Sequence, residues 1–150
     1  MTGVLGQLAN LIDPDAAPDH PELATPVTLA THLDPHYQVR AHLELIGEEL
    51  AELERGTRFD RLMVNTPPRV GKTRVIEWFV FWWLIKHPTH RVIIGSYGDD
   101  LAMRAGGHIR TLIERYGADY GLVLQHGSAA KKDWELTTGG GVRSGPNDNA

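Results

Sequence analysis

The stretch NTPPRVGKT, residues 65–73, decides the interpretation of this sequence because it nearly matches a phosphate-binding loop. That loop has the pattern Gly, four residues, Gly-Lys-Ser/Thr, and here Gly-Lys-Thr at 71–73 supplies its end. Thr66 occupies the position of the first glycine, and Pro67 and Pro68 stiffen a turn that glycine would otherwise make. The alternative is that Gly-Lys-Thr is an ordinary surface turn at the start of a helix.

The residues around the loop have the order that a phosphate site requires. RLMVN at 61–65 predicts a short strand that ends at the loop, and the apolar run from Lys72 to Lys86 predicts a helix that starts from it. RVIIGSY at 91–97 predicts a second strand, and residues 99–117 predict a second helix closed by Gly117. This alternation predicts an α/β fold with a parallel sheet and helices on its faces.

The rest of the chain gives weaker signals. Residues 1–30 carry the whole net charge of −4 and contain four prolines, which predicts a flexible or helical N-terminal arm. An amphipathic helix is expected from Tyr37 to Glu54, with Gly56 as its stop. LVLQH at 122–126 and DWELTTGGGVR at 133–143 predict further short strands.

Composition excludes several classes of function. The chain has no cysteine, so a disulfide framework, a thiolate metal site and a cysteine nucleophile are all impossible. Residues 31–150 hold 15 basic and 15 acidic residues, so any contact with nucleic acid has to be local. The longest apolar run, Trp78 to Ile85, is far shorter than the roughly 20 residues of a membrane span. Its aromatic residues are expected to pack in the core against the sheet rather than to stack on bases.

The chemistry of the loop follows from its residue types. Backbone N–H groups at the start of a helix, together with the positive end of the helix dipole, bind phosphate groups. Lys72 would reach the β- and γ-phosphates of a nucleoside triphosphate, and the Thr73 hydroxyl would bind Mg²⁺. Arg69 lies inside the loop, where its guanidinium could stabilise transition-state charge on the γ-phosphate. The alternative for Arg69 is a solvated loop arginine.

NTPPRVGKT, together with the upstream YQ at 37–38 and the downstream VIIGSYGDDLA, resembles the ATPase region of the large subunit of tailed-bacteriophage terminases. These proteins are motors that package viral DNA, and the resemblance runs from about Thr31 to Arg143. It implies a P-loop NTPase fold, with a RecA-like parallel sheet and helices on both faces, that uses ATP and Mg²⁺. The ATP-binding residues that it implies are Tyr37, Gln38, Pro68, Arg69, Val70, Gly71, Lys72 and Thr73; Arg69 and Lys72 would be catalytic, and Thr73 would hold the metal.

The resemblance is incomplete. Terminase ATPases carry an apolar strand ending in Asp, the Walker B strand, then a Glu that activates water, and an acidic nuclease domain further on. No apolar strand of this sequence runs directly into an acidic residue. We therefore expect residues 31–150 to be the N-terminal part of the ATPase domain, ending before the Walker B strand, without the nuclease domain. Two alternatives remain: a nucleotide-binding remnant without turnover, and a superfamily 2 helicase-like ATPase, whose loop normally keeps the first glycine.

The partners follow from the resemblance alone. It implies double-stranded DNA, the phage portal protein and the small terminase subunit as partners, and a ring of identical subunits when the motor is complete. It also implies a phage or prophage product in the cytoplasm of the bacterial host, with no membrane partner.

Overall fold

The computed structural model describes residues 20–127 and 133–146. Its helices are α1 (Pro26–Leu33), α2 (Ala41–Arg55), α3 (Lys72–Lys86) and α4 (Asp99–Tyr116), with short 3₁₀ helices at Pro21–Leu23 and Gly117–Tyr120. Its strands are β1 (Arg91–Ser96), β2 (Asp133–Glu135) and β3 (Gly141–Pro146). The predicted α/β class is therefore confirmed.

The three strands form one mixed sheet in the order β1-β3-β2. β1 and β3 are parallel, with Arg91 opposite Gly141 and Ser96 opposite Pro146. β2 is antiparallel to β3 because the tight turn between them, residues 137–140, forces a hairpin. The expected parallel sheet is thus found only for the β1–β3 pair.

The glycine run 139–141 allows β3 to lie beside β1. Gly139 has φ +94°, which supplies the left-handed turn of the hairpin. A Cβ on Gly140 would lie 2.3 Å from the Pro88 carbonyl oxygen, so only glycine permits this approach. The Gly141 N–H then donates to the His90 carbonyl at 3.1 Å, directly before the first residue of β1.

Helix α4 covers one face of the sheet, and the other face is exposed in the described residues. α4 packs against β1 and β3, where Val92 and Ile94 contact the main core. Ile93 points the other way and is 79% exposed. On this open face Arg91 pairs with Glu135. Helices on both faces, as a RecA-like sheet requires, are therefore not seen here.

Helix α3 is buried on most of its circumference. Trp78, Phe81 and Trp82 are fully buried, and the Trp82 indole N–H donates to the Leu23 carbonyl at 2.8 Å. The expectation that these aromatic residues form core is confirmed, but α3 packs mainly against α1, α2 and α4 rather than against the sheet. Among the described helices, none is long and apolar enough to cross a membrane.

Two helix boundaries near the N-terminus differ from expectation. α1 begins at Pro26 behind a capping box in which Thr25 and Thr28 exchange hydrogen bonds. It buries Val27 and Leu29, so residues 26–30, which were expected to belong to the arm, are part of the folded domain. α2 begins at Ala41 rather than at Tyr37, and it ends at Gly56, as predicted, with φ +67°.

Two segments predicted as strands are not strands in the described residues. Residues 61–65 are not paired, although their exposure alternates and Leu62 and Val64 pack against a buried cluster formed by Val27, Leu43, Ile46, Leu50 and Val75. A strand needs a hydrogen-bonded neighbour. In the described sheet, β1 pairs with β3 alone, and residues 61–65 do not pair with its other edge. In the segment 122–126 only Leu124 forms a bridge, opposite Leu136.

Candidate nucleotide site

The loop between residues 68 and 71 has an unusual backbone. Arg69 has φ +63° and, among the described residues, is the one non-glycine residue with a positive φ. Gly71 follows with φ +94°. A left-handed conformation costs an ordinary residue about 1–2 kcal/mol, and residues held in it concentrate at functional sites. The loop therefore keeps a strained geometry at the position of the predicted phosphate site.

The N-terminus of α3 leaves backbone donors unused. The first hydrogen bond of the helix runs from the Val75 N–H to the Gly71 carbonyl, at 3.1 Å. Within residues 20–127 and 133–146, no acceptor is found for the N–H groups of Lys72, Thr73 and Arg74. Such groups, at the positive end of the helix dipole, bind anions.

Helix α2 holds the loop from the other side. The His42 Nε2–H donates to the Val70 carbonyl at 2.8 Å, because a carbonyl oxygen can only accept. Leu43 lies against Gly71, where an added Cβ would be 3.3 Å from its Cδ1. The first turn of α2 thereby fixes both the orientation of the loop and its distance from the helix.

A pocket of about 290 Å³ lies between the loop and the segment that precedes α2. Its walls are Asp34, His36, Tyr37, Gln38, Arg40, Leu43, Arg69, Val70, Gly71 and Arg74. Five of the predicted ATP-binding residues therefore share one pocket, although two of them precede the other three by about 30 residues in sequence. A pocket of this size is at the lower end of the range for small-molecule sites.

Tyr37 is both a core residue and a wall of this pocket. Its ring meets the Trp78 ring edge-on, with centroids 6.3 Å apart. Its hydroxyl is buried and has no hydrogen-bond partner among the described residues. Burial raises the pKa of this hydroxyl above its ordinary value, and the positive charge of Arg74 opposes the shift. Gln38, by contrast, is exposed.

The charges around the pocket favour an anionic ligand. Arg40, Arg69 and Arg74 line it, against a single carboxylate from Asp34. Arg40 and Arg74 were not recognised in the sequence. Both arginines lie close to the motifs in sequence, since Arg40 follows the Tyr-Gln element and Arg74 follows Thr73. The neighbouring residues do not show, however, that both side chains line one pocket.

Lys72 and Thr73 lie on the other side of the loop. Their exposed side chains line a second cleft of about 440 Å³, together with Leu62, Val64, Ile94 and Ser96 among others. Pro68 is exposed in the turn itself and lines neither the pocket nor this cleft. The predicted site residues are therefore divided, with Tyr37 and Gln38 on one side of the loop and Lys72 and Thr73 on the other.

Glu77 is a buried carboxylate of this region that sequence analysis missed. It is 2% exposed and lines the second cleft. Its Oε1 accepts from His108 Nδ1 at 2.9 Å, and its Oε2 lies 3.4 Å from Arg74 Nη1. Arg74 Nη2 in turn lies 3.6 Å from Asp34 Oδ2. The spacing of Arg74 and Glu77, three residues apart on the predicted helix, was the available signal.

The metal prediction depends on Thr73. In the described part of the chain, no group of three His, Cys, Asp or Glu residues is arranged to hold a metal ion. A Mg²⁺ ion at the Thr73 hydroxyl would take its remaining ligands from phosphate oxygens and water, as Mg²⁺ commonly does in nucleotide sites. The residues present fit a metal that arrives with its nucleotide.

Comparison with protein-family models, with curated proteins and with solved structures found no match for this chain. The assignment of the site therefore depends on its sequence motifs and its geometry.

Proposed function

We propose that this chain binds ATP with Mg²⁺ at the loop 66–73, as the ATP-binding portion of a terminase-like large subunit whose ATP hydrolysis drives viral DNA packaging. One observation supports the proposal most strongly. The Tyr-Gln element at 37–38 and the loop residues 69–71 line a single pocket, although they are far apart in the sequence. Two segments that matched these motifs only by chance would not be expected to line the same pocket.

The phosphate chain would lie across the N-terminus of α3. Here the unused N–H groups of residues 72–74 and the helix dipole favour negative charge. Lys72 and Thr73 are exposed, so they are free to approach the β- and γ-phosphates and the metal. Mg²⁺ supplies charge neutralisation between the phosphates when it is bound.

The base would lie at the opposite end of the pocket. The exposed Gln38 carries an amide, which has a donor and an acceptor that match the adenine edge. The half-buried Tyr37 ring is fixed against Trp78 and offers the base a rigid wall. Arg69 lies at the loop end of the same pocket, three residues before Lys72.

The alternative of binding without turnover has support of its own. Hydrolysis needs a carboxylate that can activate water, and both oxygens of the buried Glu77 already face His108 and Arg74. The parallel strands β1 and β3 end in Ser96 and Pro146, neither of which is acidic. We infer that the described residues bind ATP and that turnover requires an acid outside them. The helicase-like alternative has less support because of the Thr-Pro-Pro-Arg loop.

The wider assignments are proposals that follow from the resemblance. They comprise double-stranded DNA, the portal protein and the small terminase subunit as partners, a ring of subunits, and the bacterial cytoplasm as location. The neutral balance of residues 31–150 means that DNA would contact a local surface rather than a broadly basic one.

Calorimetric titration with ATP and Mg²⁺ tests the proposal. We expect one site in the wild-type chain and a loss of ATP affinity of at least about 10-fold in Lys72→Ala. Lys86→Ala is the matched control, because Lys86 is at the far end of the same helix, where it pairs with Glu54 at 2.8 Å. Equal affinity in wild type and Lys72→Ala would contradict the proposal.

A phosphate-release assay on the same samples, with and without double-stranded DNA, separates the two functional alternatives. Turnover that disappears in Lys72→Ala supports a motor ATPase. ATP binding without any release of phosphate supports the binding-only alternative.

A further inference from the structure

We propose that Arg74, which lies outside the phosphate-loop motif, binds the α-phosphate of the nucleotide. This inference rests on the proposed ATP site and names a further contact within it. It concerns a residue that follows the motif by one position and whose type the motif does not specify.

Arg74 is both a wall residue of the pocket and part of the first turn of α3. It lies in the first turn of α3, directly after Thr73, but it lines the pocket that contains Tyr37 and Gln38 rather than the cleft of Lys72. The base is expected beside Tyr37, and Lys72 is expected at the β- and γ-phosphates. A cation on the pocket wall at the start of α3 would therefore meet the phosphate that links the ribose to the outer phosphates.

The guanidinium of Arg74 is oriented by two carboxylates, but these do not engage all of its N–H donors. Its distances of 3.4 Å to Glu77 Oε2 and 3.6 Å to Asp34 Oδ2 exceed those of good N–H···O bonds, about 2.7–3.2 Å. A guanidinium has five donors, and the side chain of Arg74 is 48% exposed. Its two carboxylate neighbours therefore hold the group at the pocket wall and leave donors for a ligand. A planar guanidinium suits phosphate because it can donate two parallel hydrogen bonds.

Glu77 explains why this orientation is stable. Its carboxylate is buried and is anchored by His108 of α4 at 2.9 Å, so it is a fixed negative charge beside the first turn of α3. Asp34 provides a second negative charge from the segment before α2. Arg74 is thus held between two elements of the fold, at the edge of the pocket.

The experiment compares four ligands: adenosine, AMP, ADP and ATP, with Mg²⁺ present throughout. For Arg74→Gln we expect the affinity for AMP, ADP and ATP to fall by a common factor of about 10–100, the usual range for one charged hydrogen-bond contact. Adenosine lacks phosphate, so its affinity is expected to stay unchanged. Arg74→Lys keeps the charge and is expected to recover part of the loss.

Two further variants complete the test. Lys72→Ala is expected to weaken ADP and ATP more than AMP, since it acts on the outer phosphates. Arg58→Gln is the matched control, because Arg58 is an exposed arginine that lies 3.5 Å from Glu49 and lines neither the pocket nor the cleft. Thermal unfolding of each variant checks that it is folded.

The outcomes are separable. Wild-type affinities for all four ligands in Arg74→Gln would overturn the α-phosphate assignment and leave the ATP site in place. An equal loss for adenosine and for the phosphorylated ligands would assign Arg74 a structural role and would also overturn it. If the wild-type chain binds none of the nucleotides, the proposed function fails together with this inference.

Discussion

Replacement of Gly71 by alanine should damage both the fold and the site, by amounts that the structure lets us estimate. Gly71 has φ +94°, a conformation that costs an L-residue about 1–2 kcal/mol. An added Cβ would also lie 3.3 Å from Cδ1 of the buried Leu43, which is a tight contact. We expect Gly71→Ala to lower the free energy of unfolding by about 1–2 kcal/mol and the melting temperature by about 2–8 °C.

The effect of Gly71→Ala on ligand binding should exceed its effect on stability. The same strain is relieved if the loop backbone moves, and that movement displaces the N–H groups that start α3. We expect ATP affinity to fall by at least about 10-fold, as for the loss of one charged contact. Chemical denaturation gives the stability and calorimetry gives the affinity.

Gly56→Ala is the control that separates strain from function. Gly56 has φ +67° at the end of α2, and no described residue places an atom within 4 Å of the position of an added Cβ. Its alanine variant should lose a similar amount of stability and keep its ATP affinity. The reasoning is refuted if Gly71→Ala binds ATP like the wild type, or if Gly56→Ala loses as much affinity as Gly71→Ala.

Three other variants have defined outcomes. His42→Ala removes the donor to the Val70 carbonyl, so we expect ATP affinity to fall several-fold in calorimetry. An unchanged affinity would show that the loop keeps its conformation without this hydrogen bond. His108→Ala leaves the buried Glu77 carboxylate with one partner fewer, so denaturation should show a loss of about 1–3 kcal/mol, and no loss would argue against that contact. Burial raises the pKa of the Tyr37 hydroxyl above its ordinary value of 10.0. The contribution of the neutral hydroxyl to folding stability is therefore complete below about pH 10 and is lost as pH rises through the folded-state pKa. Tyr37→Phe should therefore show a smaller fall in melting temperature between pH 9 and 11 than the wild type, and an equal or larger fall would contradict this assignment.

Elements with local signals were predicted closely. The helix expected from Lys72 to Lys86 has those bounds, and β1 and α4 each end within one residue of expectation. Their signals are a continuous apolar run, a β-branched run, and a periodic pattern behind acidic first-turn residues, all of which act within one element. Asp99 and Asp100 occupy the first turn of α4, and Gly98 is its N-cap.

Features that depend on distant partners were predicted less well. Residues 61–65 have the alternation of a strand, but a strand also needs a hydrogen-bonded neighbour, and no described strand pairs with them. The direction of β2 depends on the hairpin turn, which composition alone did not reveal. The same reason applies to the site, because Arg40 and Arg74 share the pocket only through the way α2 meets the loop.

The central claim is that the pocket of residues 37–38 and 69–71 and the neighbouring cleft of Lys72 and Thr73 bind the two ends of one nucleotide, and amide chemical-shift mapping by NMR tests it most directly. During titration with ATP and Mg²⁺, we expect the amide signals of Gln38, Arg69 and Gly71 to shift together and to give a single dissociation constant. Amides on the open face of the sheet, such as that of Ile93, should stay in place. Shifts in the loop without any change at Gln38, or no shifts in either segment, would contradict the account.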